Sequence, residues 1–436
     1  MSYRDPTKDL PLPLGWEWKR LKFLSAKPVS NGLGVAGDND NPEWPRYIRI
    51  TDIEDSRRLR NDTFRSVPKE LAAEAPVQVG DILLASVGAT YGKSYLHSTD
   101  IGPCCYAGFL SRYRPKTDVD PFFVSYWTES AHYWNQVRAN VIQATIQNFS
   151  AARYRDLVTP VPLPAEQRRI AETLDEATGK VDRLIALRRR QMELLREQRA
   201  ALIQQAVTRG LNPNAPLKDS GLPWLGQIPK HWEVKKGRYL GVLFGTEGEF
   251  KETPPTDSLT LYLKVDDLNS PGNGLYLDQT SNIENQEQRT LNAQTTHVLV
   301  FPKRGAAIFT NKVRIAREPV ILDPNVMGWR VSIKHDIKYV AYALLVRKLF
   351  DLADVSTVPQ INNKHIYPAK FPVPPLAEQS AIVSHIESLE TKFDGLLSAY
   401  TRQLELLMEY RAALIHECVT GQRAVPESFK NTNPRN

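Results

Sequence analysis

The chain has 436 residues, enough for two to four domains, with 42% hydrophobic and 24% charged residues; this excludes a disordered chain, a collagen and a membrane bundle. No run of about 18 apolar residues is present to span a bilayer, and the three cysteines, Cys104, Cys105 and Cys418, have the spacing of neither a disulfide framework nor a C-x-x-C metal site. The net charge of +7 permits a polyanionic partner without demanding one, and the absence of an apolar signal core near Met1–Asp5 makes a reducing cytoplasm the expected compartment.

The chain opens with Leu12-Pro13-Leu14-Gly15-Trp16-Glu17-Trp18-Lys19, followed by an alternating strand at Tyr47–Ile53 and a β-rich run at Asp81–Ser86. Gly88-Ala89-Thr90-Tyr91-Gly92-Lys93-Ser94 then makes a glycine-rich loop, and Asp120–Asn135 reads as a helix with aromatic residues on one face. Pro160-Val161-Pro162 and Glu166-Gln167 start a long helix, predicted over residues 165–210. Its seam is Ile170, Leu174, Ala177, Val181, Leu184, Arg188, Gln191, Leu195, Gln198 and Leu202, a period of 3.5 that marks a coiled coil. Gly210 and Pro213 stop it.

The chain then starts again. Ile228-Pro229-Lys230-His231-Trp232-Glu233-Val234-Lys235 answers the opening segment 216 residues on, and Tyr262–Leu268 answers Tyr47–Ile53. Strands are predicted at Leu259–Val265 and His297–Phe301, and a helix at Asp336–Leu349. Pro372-Val373-Pro374 and Glu378-Gln379 open a second long helix, predicted over 377–421, with Ile382, Ile386, Leu389, Phe393, Leu396, Tyr400, Gln403, Leu407, Tyr410 and Leu414 at its seam. Arg199-Ala200-Ala201-Leu202-Ile203 recurs as Arg411-Ala412-Ala413-Leu414-Ile415, 212 residues later. A repeat this long is a duplicated domain pair, not a solenoid.

Each helix of about 40 residues gives a rod of about 60 Å. Residues 165–210 carry 10 Lys/Arg and 7 Asp/Glu, and residues 377–421 carry 3 and 7, so opposite net charges favour pairing of the two helices within one chain. Polar Arg188, Gln191, Gln198 and Gln403 at the seam leave two readings open. The helices splay or meet another subunit there, or buried polar groups fix their register.

Catalytic motifs are sparse. Gly88–Ser94 is one residue short of a nucleotide-binding P-loop, and neither Gly-x-Ser-x-Gly nor His-Glu-x-x-His occurs. An Asn-Pro-Pro-aromatic segment for amino-methyl transfer is also missing, and the eight histidines are scattered. Asp266-Asp267 is a weak metal candidate, because its counterpart Thr51-Asp52 does not repeat the pair; a solvated turn is expected. Trp16 and Trp232 are read as packing residues ahead of base-stacking ones.

Taken together, the duplicated Pro-x-x-Trp-Glu-x-Lys opening, the Gly80-Asp81-Ile82-Leu83 strand, the Pro-Val-Pro-x-x-x-Glu-Gln helix starts and the repeated Arg-Ala-Ala-Leu-Ile rods resemble the DNA-specificity subunit of type I restriction–modification systems. The second copy departs at Phe301-Pro302-Lys303-Arg304-Gly305, which lacks the Gly-Asp-Ile-Leu strand. The resemblance implies an α+β chain with pseudo-two-fold duplication. Two mixed α/β target-recognition domains, 1–164 and 211–376, are joined by two long antiparallel coiled-coil helices, 165–210 and 377–421, with a tail at 422–436. It implies a non-catalytic subunit whose domains each read one half of a bipartite, asymmetric DNA site across an unread spacer. The implied partners are double-stranded DNA, two methyltransferase subunits and a restriction/translocase subunit. S-adenosylmethionine, ATP and Mg belong to those subunits, with no cofactor or metal in this chain.

Base reading needs cationic and amide side chains on loops. The candidates are Arg46, Arg49, Thr90, Tyr91, Lys93, Gln143, Gln147 and Asn148 in the first copy. In the second they are Lys264, Lys303, Arg304, Asn311, Lys312, Gln360, Asn362 and Asn363. Two alternatives are a stand-alone DNA-modifying enzyme or nuclease with an unfamiliar site, and a coiled-coil scaffold that binds no nucleic acid.

Overall fold

The computed structural model describes residues 10–54, 57–140, 148–245, 261–270, 274–277, 297–318, 320–354 and 358–426. They form two compact units. Met1–Arg190 with Thr401–Asn436 makes the first, and Gln191–Tyr400 makes the second.

In the first unit a four-stranded antiparallel sheet has the order Ser30–Asn31, Leu110–Tyr113, Ile82–Ala85, Ser94–Leu96. The strand Ile82–Ala85 is buried on both faces, which is why it reads as a continuous apolar run rather than an alternating one. Ile82 and Leu84 enter one core with Phe123, Trp127, Tyr133 and Tyr154, while Leu83 and Ala85 enter another with Tyr47, Cys105 and Tyr106. Arg46–Ile48 runs parallel to Cys104–Tyr106. The opening strand Glu17–Arg20 pairs antiparallel with Val158–Val161, just before the long helix.

The second unit repeats these devices. Its five-stranded sheet has the order Gly241–Phe244, Val326–Val331, Val298–Pro302, Arg314–Ala316, Tyr276–Leu277. Val298–Pro302 again divides its side chains, with Leu299 and Phe301 in one core and Val298 and Val300 in the other. Leu261–Leu263 runs parallel to Val320–Leu322, and Glu233–Lys236 pairs antiparallel with Lys370–Val373. No described helix is long and apolar enough to cross a membrane.

The long helices run Pro164–Arg209, the central helix, and Leu376–Val419, the distal helix. Gly210 at φ +73 and Gly421 at φ +74 end them in the left-handed conformation that glycine adopts without strain. In the first unit Ile170, Ala171 and Leu174 share a core with Leu414, Ile415, Cys418 and Val419. Each helix thus meets the other end-for-end, so the pairing is antiparallel.

The seam keeps the expected 3.5-residue period, but one of its two stripes lies one residue further along. On the central helix the covered positions are Leu174, Thr178, Val181, Ile185, Arg188, Met192, Leu195, Arg199, Leu202 and Ala206. Thr178, Ile185, Met192 and Arg199 replace the expected Ala177, Leu184, Gln191 and Gln198. Leu184 is 51% exposed, whereas Ile185 is buried. The distal helix shows the same shift further along, with Leu397, Leu404 and Arg411 covered in place of Leu396, Gln403 and Tyr410, while the expected Leu389 and its neighbour Glu390 are both half-buried. Both copies shift alike because polar residues occupy the true stripe and are partnered there. Thr178 returns its hydroxyl to the Leu174 carbonyl at 2.6 Å. Arg199 donates to Glu390 at 2.9 Å and Asp394 at 2.7 Å. Arg411 donates to Asp182 at 2.8 Å and Glu129 at 2.6 Å. Arg199–Asp394 and Arg411–Asp182 are the same ion pair with the helices exchanged.

Candidate nucleic-acid interface

In each unit a glycine loop meets the segment ahead of the last short helix. In the first, Gly88 at φ +74 opens a 3-10 turn over Gly88–Thr90. Val87 bridges Asn148, and the Phe149 amide donates to the Ser86 carbonyl at 2.8 Å. Two buried tyrosines hold the loop from beneath. Tyr154 donates to the Ala85 carbonyl at 2.5 Å and accepts the Gly92 amide at 3.1 Å, while Tyr133 donates to the Gly92 carbonyl at 2.8 Å. Burial raises the pKa of both phenols, so they stay neutral donors. Gly92 sits at φ +83, and a Cβ there would lie 2.7 Å from the Trp134 ring. A strand, Ser94–Leu96, follows the loop, so the helix N-terminus that cradles phosphate in a P-loop is not formed here.

In the second unit Gly305 at φ +80 opens the 3-10 turn Ala306–Thr310. Arg304 bridges Gln360, the Ile361 amide donates to the Lys303 carbonyl at 2.8 Å, and the Gly305 amide donates to the Pro359 carbonyl at 2.9 Å. Gly305 therefore stands where Gly88 stands, which resolves the correspondence that the divergent Phe301–Gly305 sequence obscured. These pairings gather Thr90, Tyr91 and Asn148 in one unit, and Lys303, Arg304, Gln360, Asn362 and Asn363 in the other. Asn148, Arg304 and Asn363 are exposed; Thr90, Tyr91, Lys93, Lys303, Lys312, Gln360 and Asn362 are half-buried.

Other candidates sit in fold-holding positions. Arg49 places its guanidinium on Asp52, with Nη2 2.8 Å from Oδ1, and also donates to the Thr63 carbonyl at 3.1 Å. The hydrogen bond to Asp52 raises the Arg49 pKa further. Asp52 also accepts the Arg49 backbone amide at 2.8 Å, and Asp267 accepts that of Lys264 at the same distance. Asp267 is thus a buried turn cap, while Lys264 itself is exposed. Arg46 donates to the Arg60 carbonyl and lies 5.9 Å from the Phe64 ring centroid. Asn311, in the left-handed region at φ +49, donates to the Leu345 carbonyl and accepts the Leu349 amide, both at 2.8 Å. Gln143 and Gln147 lie outside the described residues. Trp16 and Trp232 are buried in their cores. Burial lifts the thiols of Cys104 to about 11 and Cys105 to about 12. Among the described residues, no three His, Cys, Asp or Glu side chains group as metal ligands.

The Glu-Gln dipeptide at each helix start proves to be a clamp that pattern reading did not assign. Gln167 is buried; its Oε1 accepts the Asp120 amide at 2.8 Å, and its Nε2 donates to the Pro162 carbonyl at 2.9 Å. Gln379 makes the same two bonds, to Asp336 and Pro374, at 2.9 Å each. Asp120 and Asp336 in turn cap the helices Pro121–Trp127 and Ile337–Arg347. Each clamp ties a long helix to the capped helix of its own recognition block. The signal was present in the sequence as a dipeptide kept in both copies.

Comparison with known proteins agrees with this architecture. Residues 262–406 match the type I restriction modification DNA specificity domain. The type I restriction enzyme MjaVIII specificity subunit of Methanocaldococcus jannaschii is 23% identical over 442 residues, 97% of this chain and 96% of the relative. Over nearly its whole length the chain is similar to type I specificity subunits. The EcoKI specificity subunit of Escherichia coli is 28% identical over 200 residues, 45% of this chain and 41% of that protein. A solved chain described under complex assembly and conformational transition of the type I R-M system superposes with a TM-score of 0.71 at 15% identity, covering 95% of this chain and all of that chain.

Proposed function

We propose that this chain is a type I specificity subunit that reads a bipartite DNA site, with residues 1–164 and 211–376 each recognising one half. The observation that carries the reading is the loop pairing repeated in both units: a left-handed glycine loop fixed against a polar segment, with different side chains in each copy. The first copy offers Thr90, Tyr91, Lys93 and Asn148 where the second offers Lys303, Arg304, Gln360, Asn362 and Asn363, a difference suited to two different half-sites. Arginine and lysine suit guanine, and asparagine and glutamine suit adenine. Lys312 and Lys264 supply further cations for phosphate contacts. Arg46, Arg49 and Asn311 support the loops from within, and Gln143 and Gln147 belong to the first reading segment.

In this proposal the paired helices hold the half-sites apart. They also receive two methyltransferase subunits, and a restriction/translocase subunit joins the assembly in the cytoplasm. Each unit leaves large apolar side chains of its long helices in solvent, Leu184, Leu187, Leu406 and Tyr410 in the first and Leu194 and Leu396 in the second. Exposed apolar stripes of this kind suit helical partners. S-adenosylmethionine, ATP and Mg are assigned to the partner subunits, and the chain alone is expected neither to methylate nor to cleave DNA. The test is methylome sequencing of cells with and without this gene and its partners, then with residues 1–164 exchanged for those of a relative. One half of the methylated site should change and the other persist; a change in both halves, or none, would overturn the reading.

A further inference from the structure

The second unit holds a surface cavity of about 760 Å³ beside the start of the distal helix, lined by no residue of the glycine loop. Lys235, Lys236, Lys334, Lys370, His231 and His335 line it. Lys235 pairs with Glu233 at 2.8 Å and His231 with Glu378 at 2.7 Å. Among the described residues, Lys236, Lys334 and Lys370 meet no carboxylate within ion-pair distance. Lys236 and Lys370 are direct cross-strand partners. Like charges placed opposite each other on adjacent strands destabilise a sheet. His335 registers the same field: burial first, then Lys235 and Lys334, lower its pKa. Tyr239, exposed, stands at the mouth.

The first copy keeps cations at Lys19 and Arg20, the counterparts of Lys235 and Lys236, but shows that the fold does not need Lys334 and Lys370. There Arg20 stands opposite Val158, and Asp156 lies 3.6 Å from it. By the repeat spacing, Asp118, Asp156 and Val158 of the first copy correspond to Lys334, Pro368 and Lys370 of the second. Two acids have been lost and two lysines gained on one patch, in one copy only. A repulsive arrangement kept on a scaffold that folds without it is explained by an anion that binds there. Lysine is a point-charge partner for phosphate oxygens, and the duplex read by this unit presents a closely spaced row of them.

We propose that this cavity anchors phosphates of the DNA backbone beside the half-site read by the second unit, adding affinity without sequence information. The proposal rests on the DNA-reading function above. Each duplex phosphate neutralised contributes about 0.9 to the slope of log affinity against log salt. The test compares the full-length wild type with the triple variant Lys236→Gln, Lys334→Gln, Lys370→Gln on a duplex carrying the methylated site, across a salt series. The slope should fall by about 2 to 3 while the recognised bases stay the same. Lys370→Val, which installs the residue of the first copy, separates binding from folding. It removes the like-charge pair, so the melting temperature of the free protein should hold or rise while the slope falls by about 1. Wild-type binding with unchanged slopes in both variants overturns the cavity and leaves DNA reading intact. Unchanged slopes with weaker association of a partner subunit would assign the surface to an acidic protein instead, and also overturn it. A wild type without salt-dependent DNA affinity removes the DNA-reading function and this site with it.

Discussion

Replacing Gln167 with alanine tests whether the clamp, rather than the helix contacts around it, fixes the first recognition block to the central helix. The substitution leaves the Asp120 amide and the Pro162 carbonyl without their partners, bonds of 2.8 and 2.9 Å in the native protein. An unsatisfied buried group costs about 1–3 kcal/mol, so the pair should cost about 2–4 kcal/mol after local relaxation. The loss falls first on Pro121–Trp127, because Asp120 must hold its position to accept from the Phe122 and Phe123 amides. Hydrogen exchange read by mass spectrometry should accelerate in that helix by roughly thirty-fold for each 2 kcal/mol of local destabilisation. Gln379→Ala should do the same to Ile337–Arg347, through Asp336 and Pro374, and leave Pro121–Trp127 protected. Unchanged exchange in Pro121–Trp127 after Gln167→Ala, or equal acceleration of both helices by either variant, would refute the clamp.

Glu129→Gln should cost on the order of 3 kcal/mol in denaturant unfolding, since it leaves Arg57 and Arg411 facing a neutral amide. Burial alone would raise the Glu129 pKa, but Arg57 and Arg411 hold it below its ordinary value. Its stabilisation is therefore complete at neutral pH and lost as the pH falls below about 4, and the variant should show a flatter acid limb. The Arg199–Asp394 pair is more open to solvent, so a double-mutant cycle there should give less than about 1 kcal/mol. A four-residue insertion near Arg189 lengthens the central helix by about 6 Å, and the methylome should show a spacer one or two base pairs longer with both half-sites unchanged. An unchanged spacer would mean that the helices do not set the distance.

Periodicity and repetition carried much of the architecture in the sequence. The helix stops at Gly210 and Gly421 and the 3.5-residue seam were legible because backbone conformation and burial leave local marks. The choice between Leu184 and Ile185 was not, because two adjacent apolar residues satisfy the same period and only the partner surface decides. Arg199 misled for a related reason: a polar side chain argues against burial until its acceptors, here Glu390 and Asp394 far along the chain, are known. The candidate loops divide in the same way. Glycines announced both loops, and Asp52 lies only three residues from Arg49, but nothing local shows that Arg49 also reaches the Thr63 carbonyl or that Asn311 bridges Leu345 and Leu349. Those more distant partners become neighbours only once the unit has folded.

The first unit takes residues from both ends of the chain, whereas the second is continuous from Gln191 to Tyr400. During synthesis the two therefore mature in the reverse of their order in the gene. The core around Trp16, Ile170 and Leu174 is completed by Leu414, Ile415, Cys418 and Val419. A ribosome needs roughly 10–50 s to travel from residue 190 to residue 420 at ordinary elongation rates. Over that interval the first recognition block is held with an apolar flank of its nascent helix uncovered. The second block can close as soon as its own distal segment emerges. Synthesis that stops between Tyr400 and Leu414 would thus harm the part of the protein made earliest, and spare the part made just before the stop.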